Sequence, residues 1–155
     1  AEKSQRDKKF DRQKNLLKVK LTCVKERMLF AATYMWKPNL SEYKEAFGEI
    51  PAKPNQPIRI EFDNPDATPH NFVLVQPNSL EEVGLAANEM AKDPVAAKSG
   101  QFIPKSKKII VHSRMLKQGE KETLRFKAPR KPGRYPYLCS FPGHWTIMKG
   151  ILVVK

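Results

Sequence analysis

Short stretches in which apolar and polar side chains alternate recur along this chain. Residues 17–24 and 58–63 both place an apolar side chain at every second position. A period of two is typical of a half-buried β-strand, because successive side chains point to opposite faces. The pattern therefore predicts two amphipathic strands, separated by a segment of mixed character.

Further runs of strand composition follow, with turn residues between them. They cover residues 28–36, 68–75, 108–112, 122–128, 133–139 and 150–155. Gly119, Pro129 and Pro132 stand between the later runs. Many short strands at such spacing indicate an all-β sandwich.

One segment departs from the strand pattern. Ser79-Leu80-Glu81-Glu82 reads as a capping box that opens an external helix over about 79–92, ended by Asp93-Pro94. Residues 41–47 predict a short helical turn, and the proline-rich segment 51–57 predicts a rigid connection and not a strand.

The length bounds the domain organisation. With 155 residues and 40% apolar content, we expect one domain over residues 17–155. Residues 1–16 mix charges with little apolar periodicity, so we expect a flexible basic extension or linker. No apolar run reaches the roughly 18 residues that span a bilayer, and no signal-peptide pattern is present; if the protein is exported, this is the mature form or an excised domain.

The positive charge is concentrated towards the C-terminus. Of the net charge of +13, residues 104–155 contribute 13 basic and 2 acidic side chains, whereas residues 21–103 carry a net −3. Such a field attracts an acidic protein partner or an anionic membrane surface in a salt-dependent way. A merely solubilising surface is the alternative. No nucleic-acid motif accompanies the charge, so we expect no nucleic acid as partner.

The candidate chemistry lies in the same basic segment. Cys139, His144 and Met148 have the spacing C-x4-H-x3-M. A thiolate, an imidazole and a thioether form a soft ligand set that suits copper better than zinc, calcium or magnesium. A further imidazole must come from His70, at the mouth of an apolar strand, or from His112, which reads as a surface residue.

The two cysteines allow another interpretation. In an exported protein, Cys23 and Cys139 would by default form a disulfide. Cys23, however, falls on the apolar face of the predicted strand 17–24, where we interpret it as a small buried hydrophobe.

Three segments carry a resemblance to a known family. Thr-Pro-His-Asn-Phe-Val-Leu at 68–74, Ile-Val-His-Ser-Arg-Met-Leu-Lys-Gln-Gly-Glu-Lys-Glu-Thr-Leu at 110–124 and Cys-Ser-Phe-Pro-Gly-His-Trp-Thr-Ile-Met-Lys-Gly at 139–150 resemble azurin and auracyanin-like blue copper proteins of the cupredoxin family. The likeness covers about residues 58–155, and residues 1–57 carry no ligand.

The resemblance implies a fold and a metal site. The fold would be a Greek-key β-sandwich of about eight strands. One type 1 copper per chain would be bound by His70, Cys139 and His144 in a plane and weakly by Met148 along the axis. In azurin a backbone carbonyl approaches from the other side; here it belongs to Pro69 and not to glycine, which leaves this weak axial contact open.

It also implies roles around the ligands. The backbone amides of Asn71 and Phe141 would point at the Cys139 sulfur, and the Asn71 side chain would tie its loop to Ser140. Electrons would enter through His144, within an apolar docking patch. Its other members would be Phe141, Pro142, Gly143, Trp145 and Ile147. The alternative for Trp145 is a place in the core.

These features predict an extracytoplasmic, periplasmic electron carrier and not an enzyme. Its partner would be a redox protein such as a c-type cytochrome or a dehydrogenase, with an acidic docking face. The alternatives are a copper-binding or copper-delivery module, and the electron-entry domain of a larger multidomain redox enzyme. A catalytic second copper is disfavoured because only His112 would remain to bind it.

Overall fold

The computed structural model describes residues 3–24, 29–36, 44–46 and 48–155. Its helices are α1 (Gln5–Asp11), α2 (Leu80–Met90) and α3 (Pro94–Ser99), with a 3₁₀ turn at His144–Thr146. Its strands are β1 (Leu17–Val24), β2 (Leu29–Trp36), β3 (Lys44–Ala46), β4 (Glu49–Ala52), β5 (Pro57–Asp63), β6 (Val73–Val75), β7 (Ile109–His112), β8 (Lys121–Lys127), β9 (Gly133–Leu138) and β10 (Lys149–Val154).

In the described part of the chain the strands form two five-stranded sheets, with the orders β3-β2-β1-β5-β8 and β4-β10-β9-β6-β7. Within the first sheet, β1 pairs antiparallel with β2 and parallel with β5. Apolar faces of the two sheets meet in the larger of two buried apolar clusters found among the described residues, which forms the core between the sheets. The all-β sandwich with an external helix is thereby confirmed.

Two strands lie where the sequence predicted none. β3 falls within the predicted helical turn 41–47, whose other residues lie outside the described part of the chain. β4 contains Pro51, in the segment interpreted as a connection. Both are edge strands among the described residues. An edge strand tolerates proline, which has no N–H to donate, at a position whose nitrogen faces away from the neighbouring strand. β3 is a strand because it pairs with β2, and β4 is a strand because it pairs with β10. The local sequence pattern does not show these pairings.

Aromatic rings join the two sheets at the centre of the core. Phe30 lies edge-on to Phe62, Phe72 and Tyr137, with ring centroids 6.1, 6.4 and 5.4 Å away. Such edge-to-face pairs add about 0.5–1.5 kcal/mol each beyond the burial of their area. Rings that belong to both sheets are therefore in direct contact within the core.

Cys23 lies in this core and is almost fully buried. Burial raises the pKa of its thiol well above the ordinary value, as expected of an inert, buried cysteine. Both Cys23 and Cys139 are free thiols. The buried-hydrophobe interpretation is confirmed, and the disulfide alternative is wrong.

The N-terminal segment expected to be flexible contains helix α1. Asp11, at its last turn, lies 2.9 Å from the Arg59 guanidinium and 3.0 Å from that of Arg125, on neighbouring strands of the first sheet. Burial by itself would raise the pKa of Asp11, but hydrogen bonds to Arg125 and Lys3 and the charge of Arg59 lower it far below its usual range. Charge pairing orders this helix where apolar burial is scarce. The domain boundary near residue 17 stays a prediction.

Helix α2 lies outside the sandwich and buries Val83, Gly84 and Ala87. The predicted capping box is not formed, because Ser79 has a non-extended backbone (φ −111°, ψ 5°) and its hydroxyl donates to the carbonyl of Pro77. Asp93 instead caps α3, accepting a hydrogen bond from the Val95 N–H. Among the described residues, no helix combines the length and apolarity that crossing a bilayer requires.

Candidate metal centre

Two neighbouring strands bring the candidate ligands together. His70 lies just before β6, Cys139 follows β9, and Val73 of β6 pairs with Leu138 of β9. The 3₁₀ turn then returns His144 towards Cys139. The loops before β6 and after β9 therefore meet at one end of the second sheet.

The side chains of His70, Cys139 and His144 converge there. One donor atom from each lies within 4.8 Å of the others. The Cys139 Sγ is 3.7 Å from Nδ1 of His70 and 3.6 Å from Nδ1 of His144. His112 lies elsewhere: it is exposed, and its ring nitrogen donates to the carbonyl of Ser113.

Backbone hydrogen bonds fix the positions of His70, His144 and Met148. The N–H of His70 donates to the carbonyl of Leu116 at 3.1 Å, and the reverse bond measures 2.8 Å. Met148 is fully buried. Its N–H donates to the carbonyl of His144, and its own carbonyl accepts from the N–H of Cys139. Both ends of the ligand loop are therefore fixed to one another.

The surroundings of the sulfur follow the expected pattern. Burial raises the pKa of the Cys139 thiol to about 11, while backbone hydrogen bonds from Asn71 and Phe141 act to lower it. The Asn71 amide donates to Ser140 Oγ at 2.8 Å and its oxygen accepts from the Ser140 N–H at 2.7 Å. Ser140 Oγ donates in turn to the carbonyl of Phe102. These bonds connect three loops around Cys139.

His144 is held as a neutral ligand. Burial, and secondly the charge of His70, lower the pKa of His144 to about 4. At neutral pH its imidazole therefore keeps a free lone pair, which metal binding needs. His144 keeps 8% of its surface exposed, whereas His70 has none.

The residues next to His144 divide into an exposed and a packed group. Pro142 is half-buried, Gly143 is exposed and Ile147 is 54% exposed. Phe141 is half-buried, with its ring centroid 4.5 Å from that of His144. All four keep some exposed surface and lie within three residues of His144 along the chain. Their role as a docking surface stays a prediction.

Trp145 belongs to the packed group. It is half-buried and packs on a small cluster formed by Val73, Val75, Val83 and Leu138. A Cβ added at Gly84 would overlap its indole ring. Its indole N–H is buried and has no hydrogen-bond partner among the described residues. The alternative of a packing aromatic describes Trp145 better than a place on the docking patch.

Sequence reasoning missed two residues at this site. Asp66 Oδ2 lies 2.9 Å from His70 Nε2, and the buried Asn64 amide donates to the carbonyls of Thr68 and Leu116. The available signal was the four-residue spacing between Asp66 and His70, but outside a helix that spacing does not imply contact.

Comparisons with known proteins agree with this geometry. Residues 49–155 match the model of the family described as copper binding proteins, plastocyanin/azurin family. Auracyanin-A of Chloroflexus aurantiacus is 32% identical over 109 residues, which are 69% of this chain and 64% of that protein. Azurin of Pseudomonas chlororaphis is 32% identical over 88 residues, 56% of this chain and 65% of azurin. The chain thus spans less than two thirds of the length of these relatives.

A solved structure matches more of the chain. Dithionite-reduced auracyanin from the photosynthetic bacterium Roseiflexus castenholzii has a TM-score of 0.65 and 27% identity, over 92% of this chain and 98% of its own.

This chain belongs to the plastocyanin/azurin family of copper-binding proteins. The family resemblance is confirmed, and copper is its metal. The residues present fit that metal, because one thiol and two imidazoles that converge in a buried site are the donors that copper takes in such proteins.

Proposed function

We propose that this protein carries single electrons on one type 1 copper, held by His70, Cys139 and His144 and weakly by Met148. The convergence of the three donor atoms within 4.8 Å, in a chain of this family, carries the proposal. When bound, copper supplies a reversible Cu(II)/Cu(I) couple. Azurin and auracyanin, the relatives of this chain, are electron carriers and not enzymes, and we infer the same role here.

The protein contributes a rigid and dry site. The Asn71–Ser140 bonds and the His70–Leu116 bridge fix the ligand loops before metal binding. Ligands that are already in place need little rearrangement when the charge of the metal changes, which favours fast electron transfer. Complete burial of Cys139 excludes water from the sulfur.

Electrons enter through the exposed edge of His144. Phe141, Pro142, Gly143 and Ile147 surround that edge and form a small apolar surface. Small surfaces of this kind suit a transient partner that must dissociate after each transfer. Trp145 supports this surface from behind and contributes only its exposed part.

The partner is a redox protein with an acidic docking face, of the class of c-type cytochromes or dehydrogenases. The net charge of +11 in residues 104–155 supports this choice, since complementary charge accelerates encounter. An anionic membrane surface is the second candidate, and nucleic acid is not one. The place of action is extracytoplasmic, as in a periplasm. Transfer to an acidic cytochrome should slow as salt rises, and transfer that is unaffected by salt contradicts the acidic face.

The ligand assignment is tested by colour. The copper-loaded protein should be intensely blue, and Cys139→Ser should lose that colour because the thiolate is removed. Cys23→Ser is the matched control: Cys23 is also buried but is not among the three residues whose donor atoms converge, so the colour should stay. A blue Cys139→Ser variant contradicts the assignment.

A chelator separates electron transfer from copper delivery. A delivery module needs an exchangeable site, whereas these ligands are buried or almost so. We expect slow loss of copper to excess chelator, on a scale of hours. Complete loss within seconds would favour delivery.

A further inference from the structure

The two ring nitrogens of His70 face two different partners. Nδ1 is directed at the candidate metal site, 3.7 Å from the Cys139 sulfur. Nε2 lies 2.9 Å from Oδ2 of Asp66, and the His70 side chain is buried. Because a neutral imidazole carries one proton, the nitrogen that faces a carboxylate keeps the proton and the other presents its lone pair.

The position of Asp66 is built into the fold. Asn64 is 1% exposed, and its side chain fixes the loop that carries Asp66. The Asn64 amide donates to the carbonyls of Thr68 and Leu116 at 2.9 Å each, and its oxygen accepts from the N–H of Asp66 at 2.9 Å. Leu116 also bridges to His70. The buried Asn64 amide therefore fixes the position of Asp66 directly and that of His70 through Leu116.

We propose that Asp66 is a positioning residue for the copper site, which fixes the Nε2–H tautomer of His70 and lowers the reduction potential. This inference rests on the proposed function. A carboxylate that accepts from a ligating histidine orients the ring and increases its basicity. A negative charge behind the ligand also stabilises Cu(II) more than Cu(I), because the interaction grows with the charge of the metal.

Two variants separate hydrogen bonding from charge. Asp66→Ala removes the acceptor and the charge, whereas Asp66→Asn keeps an oxygen acceptor and removes the charge alone. Asp63→Asn, at the end of β5, is the control for the loss of one negative charge in the same part of the chain. Circular dichroism of each variant verifies that it is folded.

The first readout needs no copper. Nitrogen-15 chemical shifts of the metal-free protein should show a single His70 tautomer with Nε2 protonated. Asp66→Asn should retain this tautomer, and Asp66→Ala should give a mixture of both. An unchanged tautomer in Asp66→Ala overturns the positioning role, whatever metal the site binds.

The second readout is the reduction potential of the copper-loaded protein. Loss of a residue that supports a ligand typically weakens metal affinity 10–100-fold. We expect Asp66→Asn to weaken Cu(II) relative to Cu(I) about tenfold, which raises the potential by about 59 mV for one electron. An equal shift in Asp63→Asn overturns a role specific to Asp66. A site that binds no copper but shows the tautomer change contradicts the proposed function and leaves the positioning of His70 intact.

Discussion

The indole ring of Trp145 lies so close to Gly84 that no Cβ fits between them. Gly84 is on the buried face of α2, and Trp145 follows the ligand His144. One turn further along the helix, the Asn88 side chain accepts a hydrogen bond from the N–H of Gly143 at 2.8 Å. Helix α2 therefore contacts the ligand loop on both sides of His144 and acts as its support.

Gly84→Ala should test this support. In an open helix position the change stabilises by about 1 kcal/mol, but overlap with Trp145 should reverse the sign and destabilise by about 1–3 kcal/mol. Thermal and denaturant unfolding measure the difference. In a Trp145→Ala background the overlap is gone, so Gly84→Ala should become stabilising. A stabilising Gly84→Ala in the unaltered protein would show that the ring moves aside freely.

Asn71→Ala should reduce stability and potential together. The change leaves the N–H of Ser140 without its acceptor, at about 1–3 kcal/mol for a buried group that stays unsatisfied. The Ser140 hydroxyl loses the amide that donates to it but still donates to the carbonyl of Phe102. It also loosens the loop whose amide points at the Cys139 sulfur, which should increase electron density on sulfur and lower the potential. Denaturant unfolding and voltammetry measure the two effects. Ser140→Ala and the double variant complete the cycle, and additive effects would contradict a direct coupling of the pair.

Asp11→Asn should destabilise the protein at neutral pH by about 1–3 kcal/mol, because it removes charged hydrogen bonds to Arg125. The folded-state pKa of Asp11 is lowered, so its contribution is complete above the ordinary pKa, near 4. It should decline as pH falls below that value towards the folded pKa. Unfolding curves at pH 7, 4 and 2.5 should show that the stability difference between the variant and the unaltered protein shrinks as pH falls.

Asp7→Asn is the control for this prediction. Asp7 is more exposed and lies 3.6 Å from Arg125, so the change should alter stability by less than about 0.5 kcal/mol. A difference independent of pH would show that the ion pair is not its cause.

Ile147→Ser should slow electron self-exchange between two copies of the protein, without a shift in potential. Ile147 is 54% exposed beside His144, and Val95 in α3 is 79% exposed, which makes Val95→Ser a matched control. Loss of about 1 kcal/mol of apolar contact corresponds to roughly a fivefold slower rate. Line broadening in NMR spectra of partly reduced samples, recorded at high salt to screen the positive charge, measures the rate. Equal slowing by both variants would place the docking surface elsewhere.

Local sequence patterns were sufficient for most of the strands, but not for β3 and β4, and for the metal loop. The alternation in 17–24 and 58–63 reflects one apolar face that is buried in the core and one more polar face outside it. On that outer face Arg59 is buried beside Asp11. Likewise, the spacing of Cys139, His144 and Met148 places three soft donors in one short loop. His70 could be found because only three histidines exist and one of them begins an apolar strand.

Local sequence patterns could not predict contacts between segments that are far apart in the chain. Ser79 fits a capping box by composition, yet its backbone conformation gives the hydroxyl another partner. Helix α1 is ordered by two arginines far along the chain. The sequence left Trp145 open between the docking patch and the core, and its packing against α2 favours the second.

The sequence by itself determined the class of fold, the copper-binding chemistry and the loop that supplies most of the ligands, because these depend on the period of apolar residues and on donor types a few residues apart. The tertiary structure decided that β6 and β9 are neighbours, that Asp66 meets His70, and that α2 supports the ligand loop. Each of these contacts joins segments whose approach is set by packing of the whole core or by the path of a loop, and no short window of sequence records that packing.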